Sequence, residues 1–266
     1  MLKDITLGQY YPADSVIHKL DPRVKLTATL VFIISLFVFG SASSYVVATV
    51  FLASVIALSK VPFKFMLKGL KAIFILMMIT VVFNLFLTPG DVMVRIWTLT
   101  ITRQGLKMAL HMAVRLIYLV MGSSVMTLTT TPNSLTDGME KGLGWMKKIH
   151  VPVHEIAMMM SIALRFIPIL MEETDKIMKA QKARGADFES GNIIQRAKSL
   201  IPILVPLFIS AFRIAQDLAM AMEARCYGGV VKRTRMNAMK YARRDLIAAI
   251  IFCAFLAVVV LQRVLV

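Results

Sequence analysis

Two short runs of this 266-residue chain carry the same residue types in the same order. One reads Ala180-Gln181-Lys182-Ala183-Arg184-Gly185; the other reads Ala221-Met222-Glu223-Ala224-Arg225-Cys226. The shared pattern is Ala-x-x-Ala-Arg followed by a small residue. Small neighbours on one helix face let a partner's backbone or groove wall approach, and the arginine supplies a planar fork of donors. Near a helix carboxyl end the dipole favours such a cation by about 0.3–1 kcal/mol. The chemistry on offer is therefore docking. The plainer alternative is that each arginine caps its own helix, snorkels to a lipid phosphate or pairs with a nearby acid. Two copies, each closing a long helix, point instead to two equivalent docking points on two similar partner subunits. The residues needed for catalysis do not assemble: no Gly-x-x-x-x-Gly-Lys-Ser/Thr phosphate loop occurs, and no acid–base constellation converges. His150 and His154 sit four apart with Pro152 between them, which suits packing or capping better than a metal. Neither cofactor nor metal is expected.

The helices that must present these ends are long. The first starts near Pro152 and runs through the charged stretch 172–184, on the order of 45 Å at 1.5 Å per residue, with Gly185 as its stop. The second begins after Gly191-Asn192 and ends before Gly228-Gly229. Their apolar parts, 156–171 and 200–222, contain Arg165 in one and Arg213, Gln216 and Asp217 in the other. A charge at mid-bilayer costs about 2.5–3.5 kcal/mol, and Pro202 and Pro206 interrupt the second stretch. Both are read as amphipathic helices packed on each other at the membrane surface; the alternative is a hairpin of true spans. Met158, Met159, Met160 and Met171, with Met178, Met220 and Met222, cluster on these two helices. Methionine-rich surfaces repack around different partners, although ordinary core filling explains such a cluster equally well.

The rest of the chain is built for lipid. Hydrophobic residues make up 58% and charged residues 17%, with a mean hydropathy of +0.73; soluble domains average roughly 45–50% and about 25%. Asp21 followed by Pro22 is a helix start. Five spans are expected over residues 24–40, 45–61, 70–87, 106–128 and 246–261, with Ser41-Ala42-Ser43-Ser44 turning between the first two. Lys60, Lys64, Lys68 and Lys71 form an acid-free loop after the second span, which the positive-inside rule places in the cytoplasm. The amino terminus is then inside and the carboxyl terminus outside. The formal charge of +16 is attributed to such loops, since no basic-aromatic module accompanies it and nucleic-acid binding is not expected. The first twenty residues are polar and do not read as a secretory signal. Cys226 and Cys253 fall in cytoplasm and bilayer, so no disulfide is expected. Arg115, inside the fourth span, has no acidic partner within a turn. The fold class is an all-α membrane protein: four helices in 1–130, a cytoplasmic or interfacial coupling domain of two long and some shorter helices in 131–244, and a last span in 245–266.

With these features in place the chain resembles the transmembrane T component of energy-coupling factor (ECF) transporters, a branch of the ABC transporters. The resemblance rests on Gly8-Gln9-Tyr10, Ser15-Val16-Ile17-His18, Leu20-Asp21-Pro22-Arg23, Pro152-Val153-His154-Glu155, Ala163-Leu164-Arg165-Phe166-Ile167-Pro168 and the two arginine runs, the second continuing as Tyr227-Gly228-Gly229. It implies a non-catalytic subunit whose Ala183-Arg184-Gly185 and Ala224-Arg225-Cys226 enter grooves on two ATPase subunits, where ATP is bound. The family pattern is Ala-Arg-Gly, from which Cys226 departs while staying small. It implies too that a separate S component captures a vitamin or similar micronutrient and docks on this subunit, one at a time, with Met158, Met159, Met160 and Met171 as the expected contact surface. The competing readings are a self-sufficient secondary transporter, which would show internal repeats and interrupted spans, and a conventional ABC permease.

Overall fold

The computed structural model describes residues 10–38, 42–96, 99–186, 188, 192–228 and 239–265. Gly8, Gln9, Gly40, Ser41, Gly191 and Gly229, on which some expectations rest, lie outside the described residues. The described parts of 7–151 and 239–266 form one compact unit, and those of 152–238 a second.

The larger unit begins with an ordered segment in which His18 bridges Ser15 and the Tyr11 carbonyl (2.7 and 2.9 Å). Pro22 then opens α1 (Pro22–Val38), and the Asp21 carboxylate accepts the Arg23 N–H at 2.9 Å, the expected cap. After α2 (Ala42–Ser59) comes α3 (Phe63–Leu87), so Lys64, Lys68 and Lys71 stand on a helix rather than in a loop. Nothing in 63–71 breaks a helix except Gly69, and the following apolar run extends it. A short hairpin, β1 (Val92–Ile96) and β2 (Leu99–Thr102), joins α3 to α4 (Arg103–Thr129) with Val94 opposite Ile101 and Ile96 opposite Leu99. Thr102 fastens this junction: its hydroxyl donates to the Thr88 carbonyl (2.8 Å) and accepts the Gly105 N–H (3.0 Å). α5 (Pro132–Gly142) packs on α1, a 3-10 turn (Leu143–Ile149) follows, and α9 (Arg243–Leu265) closes the unit against α1 and α2. Phe32, Leu36, Leu52, Met66, Val125 and Phe255 are among its buried residues, with Phe51 and Phe255 stacked at 4.3 Å.

The second unit holds α6 (Val153–Ala183), α7 (Ile193–Ser199) and α8 (Ile201–Ala224). The expected second long helix is interrupted only at Leu200, where Pro202 has no N–H to offer the Lys198 carbonyl. Leu200 keeps helical dihedrals (φ −78°, ψ −20°), and residues 194–224 continue as one long helix. α6 and α8 are antiparallel. Gln181, near the end of α6, donates to the Pro202 carbonyl at the start of α8 (3.3 Å), while the Tyr227 hydroxyl beyond α8 reaches Met158 Sδ at the start of α6.

Among the described residues, helices Arg103–Thr129, Val153–Ala183, Ile194–Ala224 and Arg243–Val264 are long and apolar enough to cross a membrane, and the bent pair Phe63–Lys71 and Ile73–Leu87 adds a fifth when counted as one span. Two of these are the stretches whose internal charges argue for the membrane surface, while α1, at 17 residues, is short for a span. The chain is an all-α, multi-pass membrane protein, with a small β-hairpin between α3 and α4.

Candidate functional site

Both arginine runs end their helices in the same backbone shape. Ala183 is the last residue of α6 and Arg184 its cap, at φ −86° and ψ 5°; Ala224 and Arg225 repeat this on α8 at −91° and 16°. The next residue is left-handed in each case, Gly185 at φ 87° and Cys226 at φ 56°. Two hydrogen bonds then close each end. The Gly185 N–H donates to Lys182 (3.0 Å) and the Ala186 N–H to Gln181 (3.0 Å); the Cys226 N–H donates to Glu223 (2.8 Å) and the Tyr227 N–H to Met222 (2.9 Å). These are Schellman caps, in which the residue after the cap must adopt positive φ. A backbone requirement thus joins the size requirement read from the sequence. Glycine meets it freely, whereas Cys226 carries its Cβ into the left-handed region.

The caps leave the side chains outside the helices. Arg184 and Arg225 are exposed, as are Ala183, Ala224, Gly185 and Cys226. Among the described residues neither guanidinium has an ion pair or hydrogen bond. The self-capping alternative needs a side-chain bond to the last carbonyls, and the backbone N–H groups of the Schellman caps already occupy carbonyls there. Because α6 and α8 run antiparallel, the two tips lie at opposite ends of the pair, roughly 35 Å apart at 1.5 Å per residue.

The four methionines do not share one face. Met158 is half-buried and tied to Tyr227; Met159 and Met160 are exposed; Met171 is half-buried. A better apolar stripe lies on α8, where Leu204, Val205, Phe208, Ile209 and Phe212 recur at helical spacing and are all exposed. That periodicity is present in the sequence and was masked by the more conspicuous methionines. Among the described residues of α6 and α8, only Val153, Ala157 and Ile203 are buried, so the pair leaves most of its apolar surface for lipid or a partner. Arg165, Arg213 and Asp217 on these helices are exposed, with no ion pair among the described residues.

In the larger unit Arg115 lies 5.4 Å over the Phe37 ring and donates weakly to the Tyr45 hydroxyl (3.5 Å), a contact in place of an acid. Lys25, not singled out in the sequence, is buried, and its ammonium donates to the carbonyls of His18 (3.1 Å) and Thr129 (2.9 Å). Asp245 accepts the N–H groups of Asp21 (2.7 Å) and Ala242 (2.8 Å). These bonds tie the first turn of α1 to the end of α4, through Lys25, and Asp21 to the start of α9, a structural duty.

Comparison with known proteins adds the rest. The sequence profile of a family described as cobalt transport protein (CbiQ) matches residues 13–237. A protein of Clostridium kluyveri is 56% identical over 266 residues, covering 99% of this chain and 98% of its own length. One of Thermosediminibacter oceani is 53% identical over 257 residues, with 97% of each chain covered. One of Bacillus subtilis is 42% identical over 260 residues, covering 96% of this chain and 98% of its own. All three are described as energy-coupling factor transporter transmembrane proteins (EcfT).

Proposed function

The chain belongs to the family of energy-coupling factor transporter transmembrane proteins, and from that membership we propose that it couples two partner ATPases to a substrate-binding S component. It is a component of a transporter and has no catalytic role of its own. The observation that carries this reading is the pair of identically shaped, arginine-tipped helix ends facing away from each other. Two tips roughly 35 Å apart suit two separate subunits better than one groove. Each guanidinium enters a groove on one ATPase, with Ala183 and Ala224 allowing close approach and Gly185 and Cys226 fixing the angle of exit.

The antiparallel pairing also favours a placement. Arms projecting side by side into the cytoplasm would put only one tip at the far end. A pair lying along the membrane surface presents both to ATPases beneath it. The exposed Arg165, Arg213 and Asp217 support that placement, since unpaired ions in hydrocarbon would cost about 2.5–3.5 kcal/mol each. The amino terminus is then cytoplasmic, as the lysine run predicts. When ATP draws the two ATPases together, the tips are displaced relative to one another and the α6–α8 pair transmits the motion. The S component, resting on the apolar stripe of α8 and the exposed Met159 and Met160, reorients and releases its vitamin or similar micronutrient inside. Selectivity resides in that partner.

The test is reconstitution. Liposomes holding this chain, two ATPases and an S component should take up the S component's ligand with ATP, and liposomes holding the chain alone should not. Substrate accumulation by the isolated chain would replace this reading with a secondary transporter.

A further inference from the structure

The lysine run has a geometry beyond what topology signalling needs. α3 bends by 59° between its legs Phe63–Lys71 and Ile73–Leu87. On the first leg Met66 is fully buried, and a Cβ on Gly69 would come 3.1 Å from Ser124 Oγ of α4, so this side packs on the protein. Lys64, Lys68 and Lys71 recur at four and three residues on the opposite side and are exposed, with Lys60 just before the helix. Phe63, Phe65, Leu67 and Phe74 flank the stripe and are exposed as well, and the Lys68 ammonium lies 5.2 Å over the Phe65 ring. Among the described residues none of these lysines has an ion pair, and no acidic residue occurs in 22–90.

The bend fits this stripe to one layer of the bilayer. On a straight span the three helical amines would be spread over about 10 Å of depth. Tilted by 59° from the leg that enters the bilayer, the same residues occupy about 5 Å, matching a headgroup layer of about 5–8 Å per leaflet. We propose that the first leg of α3 is an interfacial helix that binds anionic lipid headgroups, its lysines on the phosphates and its phenylalanines wedged beneath them. Charge complementarity selects the occupant: an acid-free cationic stripe above an apolar wedge suits a negatively charged lipid surface, not a zwitterionic one. The proposal needs the multi-pass placement of the chain and not the coupling of the arginine tips, so either can fail alone.

The full chain is purified, exchanged into nanodiscs of phosphatidylcholine with a minority of phosphatidylglycerol, and the lipid retained on extraction is measured by mass spectrometry. Nanodiscs offer the same mixture on both faces, so a change of topology does not alter the result. Phosphatidylglycerol should be enriched on the wild type. The triple variant Lys64→Gln, Lys68→Gln, Lys71→Gln should lower that enrichment about fivefold or more, each lysine near a membrane surface being worth a factor of about five. The corresponding triple Arg variant, which keeps the charge at the same positions, should retain it. Wild-type enrichment in the stripe Gln variant, or its loss in the Arg variant, overturns the proposal.

Discussion

Gly185 and Cys226 occupy one position in two copies of a cap and meet it with unequal ease. A non-glycine residue in the left-handed region costs roughly 1–2 kcal/mol, so Cys226→Gly should stabilise the isolated chain by about 1 kcal/mol and Gly185→Ala should destabilise it by a similar amount. Thermal unfolding in detergent reads both, and a neutral Gly185→Ala would contradict the cap. The repeated letters made these positions visible in the sequence, but φ is not written there, and size alone seemed to explain the last letter. Lys25 went unseen for a related reason: within an apolar run a lone lysine looks like an edge charge, and its two acceptors come from residues 18 and 129. Lys25→Met keeps the length and deletes the donors, leaving the buried Thr129 carbonyl unsatisfied at about 1–3 kcal/mol and the half-buried His18 carbonyl without its donor. It should lower the melting temperature and expose the segment before α1 to protease; an unchanged protease pattern would show that segment to be held by other contacts.

Helix starts and stops were largely open to reading, because Asp21-Pro22 and Gly185 act locally. Contacts between helices were not. α3 and α4 pack so closely at Gly105 that an added Cβ would sit 3.0 Å from the Leu85 carbonyl and 2.7 Å from Thr102 Oγ1. Gly105→Ala should therefore destabilise by about 1–3 kcal/mol, since backbone cannot yield as a side chain can; a wild-type unfolding curve would mean that the two helices separate freely. The hairpin is written weakly in the sequence, as Val92, Val94 and Ile96 alternating before Leu99 and Ile101. That pattern is a strand signal, overshadowed here by the stronger apolar runs on either side. Pro202 costs the long helix one hydrogen bond rather than its course: the backbone of Leu200 stays helical and α7 runs on into α8.

The antiparallel course of α6 and α8 is what no local pattern discloses, because Gln181 and Tyr227 find Pro202 and Met158 only once both helices exist. It turns two similar motifs into two opposed ones, the arrangement on which the proposed coupling of two ATPases rests. Each tip should act on its own ATPase, so the losses should be separable. Removing one partner of a buried charged contact costs about 2–5 kcal/mol, enough to empty one docking point at micromolar concentrations while the other stays filled. Native mass spectrometry of the detergent-solubilised assembly counts the ATPase chains directly. Wild type should carry two, Arg184→Ala and Arg225→Ala one each, and the double variant none; two ATPases retained on the double variant would contradict the account.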